Sequence, residues 1–315
     1  MPRIAYVNGR YRPIGALAVQ VEDRGLQFAD GVYEVIKALG GRLCDLERHL
    51  DRLHRSLAAL SIPAPASGAA LGAILGEVLR RNRLADAGVY VQVTRGVAPR
   101  NHLFPKSVRP SLIVTARRAH FPKPMELAEG VAVVTLPDQR WKRCDIKSVS
   151  LLANVLARQA GAEAGCREVW LHDADGRVTE GSSSNAYIVD QAGRLITHPL
   201  GPQILGGVTR SVVLELARAM DIEVVERPFT IAEAREAREA FLTSTSSLVL
   251  PVTTIDGRTV ANGMPGSIAT RLLEAYRQHL SLRGGDTPVH QWLYSRSYRR
   301  KTACRLFVVS VSAPI

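Results

Sequence analysis

The sequence has 315 residues, of which 46% are hydrophobic, and a net charge of +12, which is enough chain for roughly two domains with buried cores. Aromatic residues make up only 5% and no RNA-binding or zinc-finger pattern occurs, so anionic small molecules explain the basic charge as well as nucleic acid does. No apolar stretch is long enough to span a membrane, and the four cysteines lack metal-type or disulfide-type spacing. We therefore expect a cytoplasmic protein that binds no metal, nucleic acid or membrane.

The first 118 residues predict a mixed α/β domain. Asn8-Gly9 favours a tight turn in an opening hairpin. The apolar periodicity then predicts helices at 46–60 and 69–81, followed by strands at 89–97 and 112–116. Residues 119–128, around a Phe-Pro-Lys-Pro stretch, predict a linker.

Between residues 129 and 285, strands alternate with helices, which is typical of a second α/β domain. We expect strands at 131–135, 168–171, 185–189, 222–226 and 240–243, and helices at 149–157, 211–220 and 267–279. Residues 286–315 match neither domain, and we interpret them as an extraneous tail, either a disordered extension or an out-of-frame read-through, with no assigned function.

Lys147 stands just before the apolar pattern at 149–157. An aldehyde cofactor needs an amine that can lose its proton, whereas a free lysine keeps its proton up to a pKa of about 10.4. Burial, or the charges of Lys142 and Arg143, would lower that pKa. Taken alone, Lys147 is better interpreted as a surface lysine, and the features that follow change this interpretation.

Glu180 follows a hairpin turn expected at Asp175-Gly176 and should lie at a strand end. A carboxylate there could keep a proton on a pyridine nitrogen. Gly206-Gly207 opens the next helix, where free backbone amides could hold a phosphate, and residues 243–247 could add hydroxyl donors. Each of these signals is weak by itself, because glycines and serines are also common in ordinary turns.

Four longer strings carry a specific resemblance: DGVYEV at 30–35, VTRGVAPRNH at 93–102, RCDIKS at 143–148 and TEGSSSN at 179–185. They resemble the fold-type IV pyridoxal phosphate family, which includes D-amino acid transaminases, branched-chain aminotransferases and aminodeoxychorismate lyases. The similarity covers residues 3–280 and looks strongest to the D-amino acid transaminases.

This resemblance implies two α/β domains with pyridoxal 5'-phosphate between them, in a homodimer. It also implies an aminotransferase for small D-amino acids and 2-oxo acids, with D-alanine and 2-oxoglutarate giving pyruvate and D-glutamate in ping-pong half-reactions. Lys147 would form the internal aldimine and carry the proton, and Glu180 would pair with the pyridinium nitrogen. The other cofactor contacts that the resemblance implies are Arg52, Ser183, Leu205, Val208, Thr209, Ser244 and Thr245.

Arg100 and His102 are the candidate substrate-binding residues. An arginine fork matches a carboxylate, and a histidine can donate beside it, so the resemblance implies that the pair binds the substrate α-carboxylate together with Tyr33. Strand alternation puts Tyr33 on one face and Glu34 on the other, and we expect Tyr33 to reach the site. On pattern alone, Arg100 and His102 form only a polar loop, and whether they act in their own chain or across a dimer stays open.

Other interpretations keep the cofactor but change the chemistry: branched-chain or R-selective amine transamination, or aminodeoxychorismate lyase activity. The non-enzyme alternative is a basic nucleic-acid-binding protein that has lost cofactor chemistry.

Overall fold

The computed structural model describes residues 3–16, 18–119 and 121–282. The tail predicted at 286–315 lies outside these described residues. Within them the chain forms two β-sheets, both packed against helices, so the predicted α/β class is confirmed. No helix of this part of the chain has the length and apolar character needed to cross a bilayer.

The first sheet is built from the N-terminal part of the chain. Its strands are β1 Ile4–Val7, β2 Arg10–Pro13, β3 Gly31–Leu39, β4 Arg42–Leu43, β5 Ala87–Thr94 and β6 Ser111–Arg118. They lie in the order β2-β1-β6-β5-β3-β4 and pair antiparallel throughout. The predicted opening hairpin is confirmed, and Asn8 and Gly9 adopt the positive φ values of 47° and 88° that its turn needs.

Three helices accompany this sheet: α1 Arg24–Phe28, α2 Leu46–Ala59 and α3 Gly68–Asn82. The last two agree with the predicted helices to within one residue at each end. α2 is strongly amphipathic and packs on β3. Its buried face carries Arg52, whereas Arg55 is exposed.

The second sheet has ten strands over the described residues. They are β7 Val131–Pro137, β8 Glu168–His172, β9 Arg177–Gly181, β10 Asn185–Val189, β11 Leu195–Thr197, β12 Val224–Glu226, β13 Phe229–Thr230, β14 Glu239–Ser244, β15 Leu248–Ile255 and β16 Arg258–Thr259. The order is β12-β11-β10-β14-β15-β7-β8-β9-β13, with β16 paired to β15. β7 pairs parallel to β8 and β15, and β11 pairs parallel to β12. The sheet is therefore mixed, and the sequence did not predict its long central strand β15.

Five helices follow in the second half: α4 Pro124–Glu129, α5 Leu152–Glu163, α6 Val208–Ala219, α7 Ile231–Arg235 and α8 Ser267–Leu282. α4 begins within the predicted linker and ends one residue beyond it, and a proline at the start of the helix favours its initiation. The predicted start of α5 at Val149 is wrong by three residues. Val149 N donates to Gly31 O at 3.0 Å, and Tyr33 N donates to Lys147 O at 2.9 Å, so this segment runs extended beside β3 before the helix begins.

Polar contacts join the two halves of the molecule along α2. Arg48 donates to Glu215 of α6 at 2.7 and 2.8 Å, and Asp45 lies 2.8 Å from the His279 ring nitrogen of α8. Residues 147–149 also pair with β3 in a strand-like manner. These contacts bring β3 and α2 of the first half close to α6 and α8 of the second half.

Candidate active site

A cavity of about 680 Å³ lies where the two halves meet. Its wall combines β3 and α2 of the first half with β9, the start of α6 and the end of β14 of the second half. The volume is within the range of small-molecule sites, roughly 300–1,000 Å³. Ten of the predicted site residues line it: Tyr33, Arg52, Lys147, Glu180, Ser183, Leu205, Val208, Thr209, Ser244 and Thr245.

Lys147 projects its amine into this cavity. Its Nζ lies 3.4 Å from the Tyr33 hydroxyl and 4.4 Å from the centre of the same ring. Burial, reinforced by the positive charge of Arg52, lowers the pKa of Lys147 to about 8. The expectation that Lys142 and Arg143 supply this charge is wrong, because both are exposed and Arg143 pairs with Asp145 instead.

Tyr33 lines the cavity, whereas the next residue on β3, Glu34, points to the opposite side of the strand and into α2. The strand alternation that separated these two side chains in the sequence is therefore observed. Burial raises the pKa of Tyr33 to about 12, so its hydroxyl keeps its proton at neutral pH and can donate a hydrogen bond.

Glu180 is buried and accepts hydrogen bonds from three groups. Leu205 N and Asn185 Nδ2 each donate to its Oε2 at 3.0 Å, and Arg140 donates to its Oε1. Burial raises the pKa of Glu180 to about 7, against the opposing charge and hydrogen bond of Arg140. All three partners are donors, so the arrangement satisfies the carboxylate form.

Arg140 is a functional candidate that the sequence reasoning did not select. Besides Glu180, its guanidinium donates to Asp138 at 2.7 and 2.9 Å and to the Gln203 carbonyl at 3.1 Å. The signal in the sequence was its position in the charged stretch before Lys147, but that stretch contains several basic residues. Only the folded chain distinguishes the buried arginine from its exposed neighbours.

Arg52 reaches the far end of the cavity in a fixed orientation. Its Nε and Nη2 donate to the Glu34 carboxylate at 2.7 and 2.8 Å, and its Nη1 donates to Gly206 O at 3.0 Å. A ring nitrogen of His49 also lies 2.8 Å from Glu34. Burial works to raise the pKa of Glu34, but Arg52 and His49 outweigh it and lower the pKa to about 2.

The start of α6 faces the same end of the cavity. Gly207 caps the helix without a side-chain hydrogen bond, so the amides of the first turn, at Val208 and Thr209, are not capped by its side chain. A Cβ at Gly207 would collide with Asn185 Oδ1, which explains the glycine. Free amides beside an arginine form a site for a phosphate dianion.

Ser183 belongs to a turn that is organised by a buried carboxylate, Glu168. The hydroxyls of Ser182, Ser183 and Ser184 all donate to Glu168, at 2.7 Å for Ser183 and 3.0 Å for Ser184, and Val169 N adds a donor at 2.8 Å. The sequence reasoning did not select Glu168. It fixes the turn that forms one wall of the cavity.

Arg100 and His102 do not line the cavity of their own chain. Both are exposed in the loop after β5 and lie against Phe28 of α1. The structure thus brings together the residues expected to hold a cofactor, and of the three residues expected to bind the substrate carboxylate only Tyr33 joins them.

Comparison with known proteins identifies the family. Residues 31–255 match the family model described as amino-transferase class IV. The chain is 42% identical over 274 residues to D-alanine aminotransferase of Bacillus licheniformis, covering 87% of this chain and 95% of that protein. It is 40% identical over 268 residues to D-alanine aminotransferase of Listeria innocua, covering 84% and 92%.

A solved structure shows the same fold. The branched-chain amino acid aminotransferase of T.th., solved with pyridoxamine 5'-phosphate, superposes with a TM-score of 0.82 at 23% identity, over 93% of this chain and 98% of that one. The chain belongs to the class IV aminotransferases, and its two α/β halves have the fold-type IV architecture.

Proposed function

We propose that this aminotransferase uses pyridoxal 5'-phosphate to move the amino group of D-alanine to 2-oxoglutarate, which gives pyruvate and D-glutamate. The observation that carries the proposal is the convergence of Lys147, Glu180 and Arg52 on one cavity. The names of the Bacillus and Listeria relatives support the choice of a D-amino acid as substrate.

The residues of the cavity fit the three polar parts of this cofactor. The Lys147 amine, with its lowered pKa, suits an aldehyde, the Glu180 carboxylate suits a protonated ring nitrogen, and Arg52 with the start of α6 suits the phosphate. Ser183, Leu205, Ser244 and Thr245 complete the wall. When bound, the cofactor supplies an electron-withdrawing ring that stabilises negative charge at the substrate α-carbon.

Lys147 is the proposed acid and base at that carbon. A pKa near 8 lets the amine accept a proton and return it close to neutral pH, which is the range in which a general base is most effective. The Tyr33 hydroxyl, 3.4 Å away, can donate to the amine while it is neutral or to a substrate oxygen.

We propose that Arg100 and His102 bind the α-carboxylate in the cavity of a second copy of the chain. Their exposure supports this, since neither reaches the cavity of its own subunit. The same loop also exposes Leu103 and Phe104, by 76% and 60%. Adjacent exposed apolar side chains are typical of protein interfaces, so a homodimer would bury them and complete the site.

We also propose that the chain divides into an N-terminal domain at 1–118, a linker at 119–128 and a cofactor-binding domain at 129–285. The separation of the two sheets in sequence supports it, because the first sheet ends with β6 and the second begins with β7.

The deciding experiment supplies purified protein with pyridoxal phosphate, pyruvate and either D- or L-glutamate, and measures alanine by chiral chromatography. We expect D-alanine from D-glutamate and no product from L-glutamate. Turnover of L-glutamate alone would contradict the proposal, and parallel assays with L-leucine, an R-configured aryl amine and aminodeoxychorismate test the other activities of the family. A Lys147→Ala variant serves as the inactive control.

A further inference from the structure

The short helix α1 holds the loop that carries Arg100 and His102. At the end of this helix, the Phe28 ring contacts both side chains. The Arg100 guanidinium carbon lies 4.5 Å from the ring centre, and the His102 ring centre lies 5.3 Å away. One aromatic ring therefore sets the relative position of two side chains that are otherwise exposed.

The contact with Phe28 leaves the hydrogen-bonding capacity of Arg100 intact. It is a cation–π interaction, which uses the face of the ring and none of the N–H groups. No described residue forms a hydrogen bond or salt bridge with Arg100. All five N–H donors of the guanidinium remain available for a carboxylate.

Arg24 provides a second anchor, through the backbone. It is buried, and its Nη1 donates to the carbonyl oxygen of Asn101, the residue between Arg100 and His102. Its Nε donates to Asp30 at 2.8 Å, and its guanidinium carbon lies 4.7 Å from the same Phe28 ring. The peptide that links the two candidate residues is thus tied to the body of the first sheet.

Asp30 makes this anchor rigid. Its carboxylate also accepts from Arg95 at 2.7 and 3.1 Å, and Arg95 in turn donates to the carbonyls of Leu60 and Ser61 at 2.7 and 3.0 Å. One carboxylate therefore compensates two buried guanidinium groups and ties α1 to the end of α2.

We propose that Phe28 and Arg24 are positioning residues for carboxylate binding: Phe28 aligns the Arg100 fork with His102, and Arg24 fixes the peptide between them. The inference rests on the proposed function, in which Arg100 and His102 bind the substrate α-carboxylate. We therefore expect replacement of Phe28 to lower kcat/KM for substrates with a carboxylate and to leave kcat/KM unchanged for amines that lack one.

The test compares Phe28→Leu with Phe121→Leu, a matched change outside the loop that carries Arg100 and His102. The centre of the Phe121 ring lies 4.3 Å from the Lys37 amine, and Phe121 does not line the cavity. The half-reaction of the cofactor-loaded enzyme is followed by absorbance with D-alanine and with D-alaninol, which has a hydroxymethyl group in place of the carboxylate. We expect Phe28→Leu to lower kcat/KM for D-alanine by about threefold to tenfold, mainly through KM, with no change for D-alaninol.

Two further variants make the result decisive. Phe28→Tyr keeps the ring and should retain kcat/KM for D-alanine to within about twofold. In an Arg100→Ala background, Phe28→Leu should cause little further loss, because the two changes remove the same interaction.

Equal losses on D-alanine and D-alaninol, or additive effects of Phe28→Leu and Arg100→Ala, would overturn the positioning role and leave the proposed function standing. Absence of D-alanine turnover in the unmodified, cofactor-loaded protein would overturn the proposed function itself.

Discussion

Glu34 holds Arg52 by two parallel hydrogen bonds of 2.7 and 2.8 Å, with both side chains buried. This clamp sits on the opposite face of β3 from Tyr33, yet it determines where the Arg52 guanidinium meets the cavity. A residue outside the cavity wall therefore controls one that lies on it.

Replacing Glu34 by Gln should weaken both the fold and the retention of the cofactor. A buried arginine that loses its ion-pair partner destabilises a protein by about 3–5 kcal/mol, and an arginine that is no longer oriented binds phosphate less well. Urea unfolding and equilibrium dialysis of pyridoxal phosphate measure the two effects. Glu47→Gln, an exposed change on α2, the helix that carries Arg52, is the control, and equal cofactor retention by the two variants would contradict this role.

The ion pair between Glu34 and Arg52 should make the free energy of unfolding sensitive to acid. The pKa of Glu34 is lowered in the folded protein to about 2 from an ordinary value of 4.5. Its contribution is therefore fully present above pH 4.5 and is lost as the pH falls toward 2. We expect the loss of stability of the parent over this range to be larger than that of Glu34→Gln, as measured by thermal unfolding at several pH values.

Lys147 should react as an amine at unusually low pH. Its pKa of about 8 means that half of the side chains are neutral at that pH, whereas a model peptide lysine needs about pH 10.4. Reductive methylation of the cofactor-free protein, with a lysine peptide in the same tube, should modify Lys147 half-maximally near pH 8. Mass spectrometry locates the product, and modification that follows the peptide would refute the shift.

Replacing Arg140 by Gln should change the pH profile rather than abolish activity at all pH values. Arg140 opposes the rise in the pKa of Glu180 that burial causes. Without it, that pKa should rise above its value of about 7, so the carboxylate form is lost at neutral pH. We expect kcat to fall most at neutral pH and to recover toward pH 9.

Arg143→Gln removes an exposed arginine three residues away, whose partner is Asp145, and should leave the profile unchanged. A loss in Arg140→Gln that is constant across the pH range would point to a structural effect alone.

Replacing Glu168 by Gln should destabilise the serine turn at 182–184. Glu168 accepts four hydrogen bonds, and a glutamine amide would present N–H groups to some of those donors. We expect a loss of about 1–3 kcal/mol in the free energy of unfolding. Glu163→Gln, which is exposed, should change it by no more than about 0.5 kcal/mol. A stability of Glu168→Gln equal to that of this control would contradict the assignment.

Local sequence patterns predicted the helices and strands that depend mainly on residues close together in the chain. The opening hairpin follows from Asn8-Gly9, and α2 and α3 follow from apolar periodicity. β15 was not predicted because almost all of its residues are buried, so it lacks the alternation that marks a half-exposed strand. The start of α5 was wrong because β3, which is distant in sequence, holds residues 147–149 extended.

The sequence by itself determined the class of chemistry, because Lys147 and Glu180 belong to strings that resemble one family. The tertiary structure decided which charged side chains act together: it buried Arg52 and Arg140, exposed Arg143, and left Arg100 and His102 outside the cavity of their own chain. The reason is physical. The type of a residue fixes what it can donate or accept, but burial and distance fix its pKa and its partners, and both depend on segments far apart in the chain.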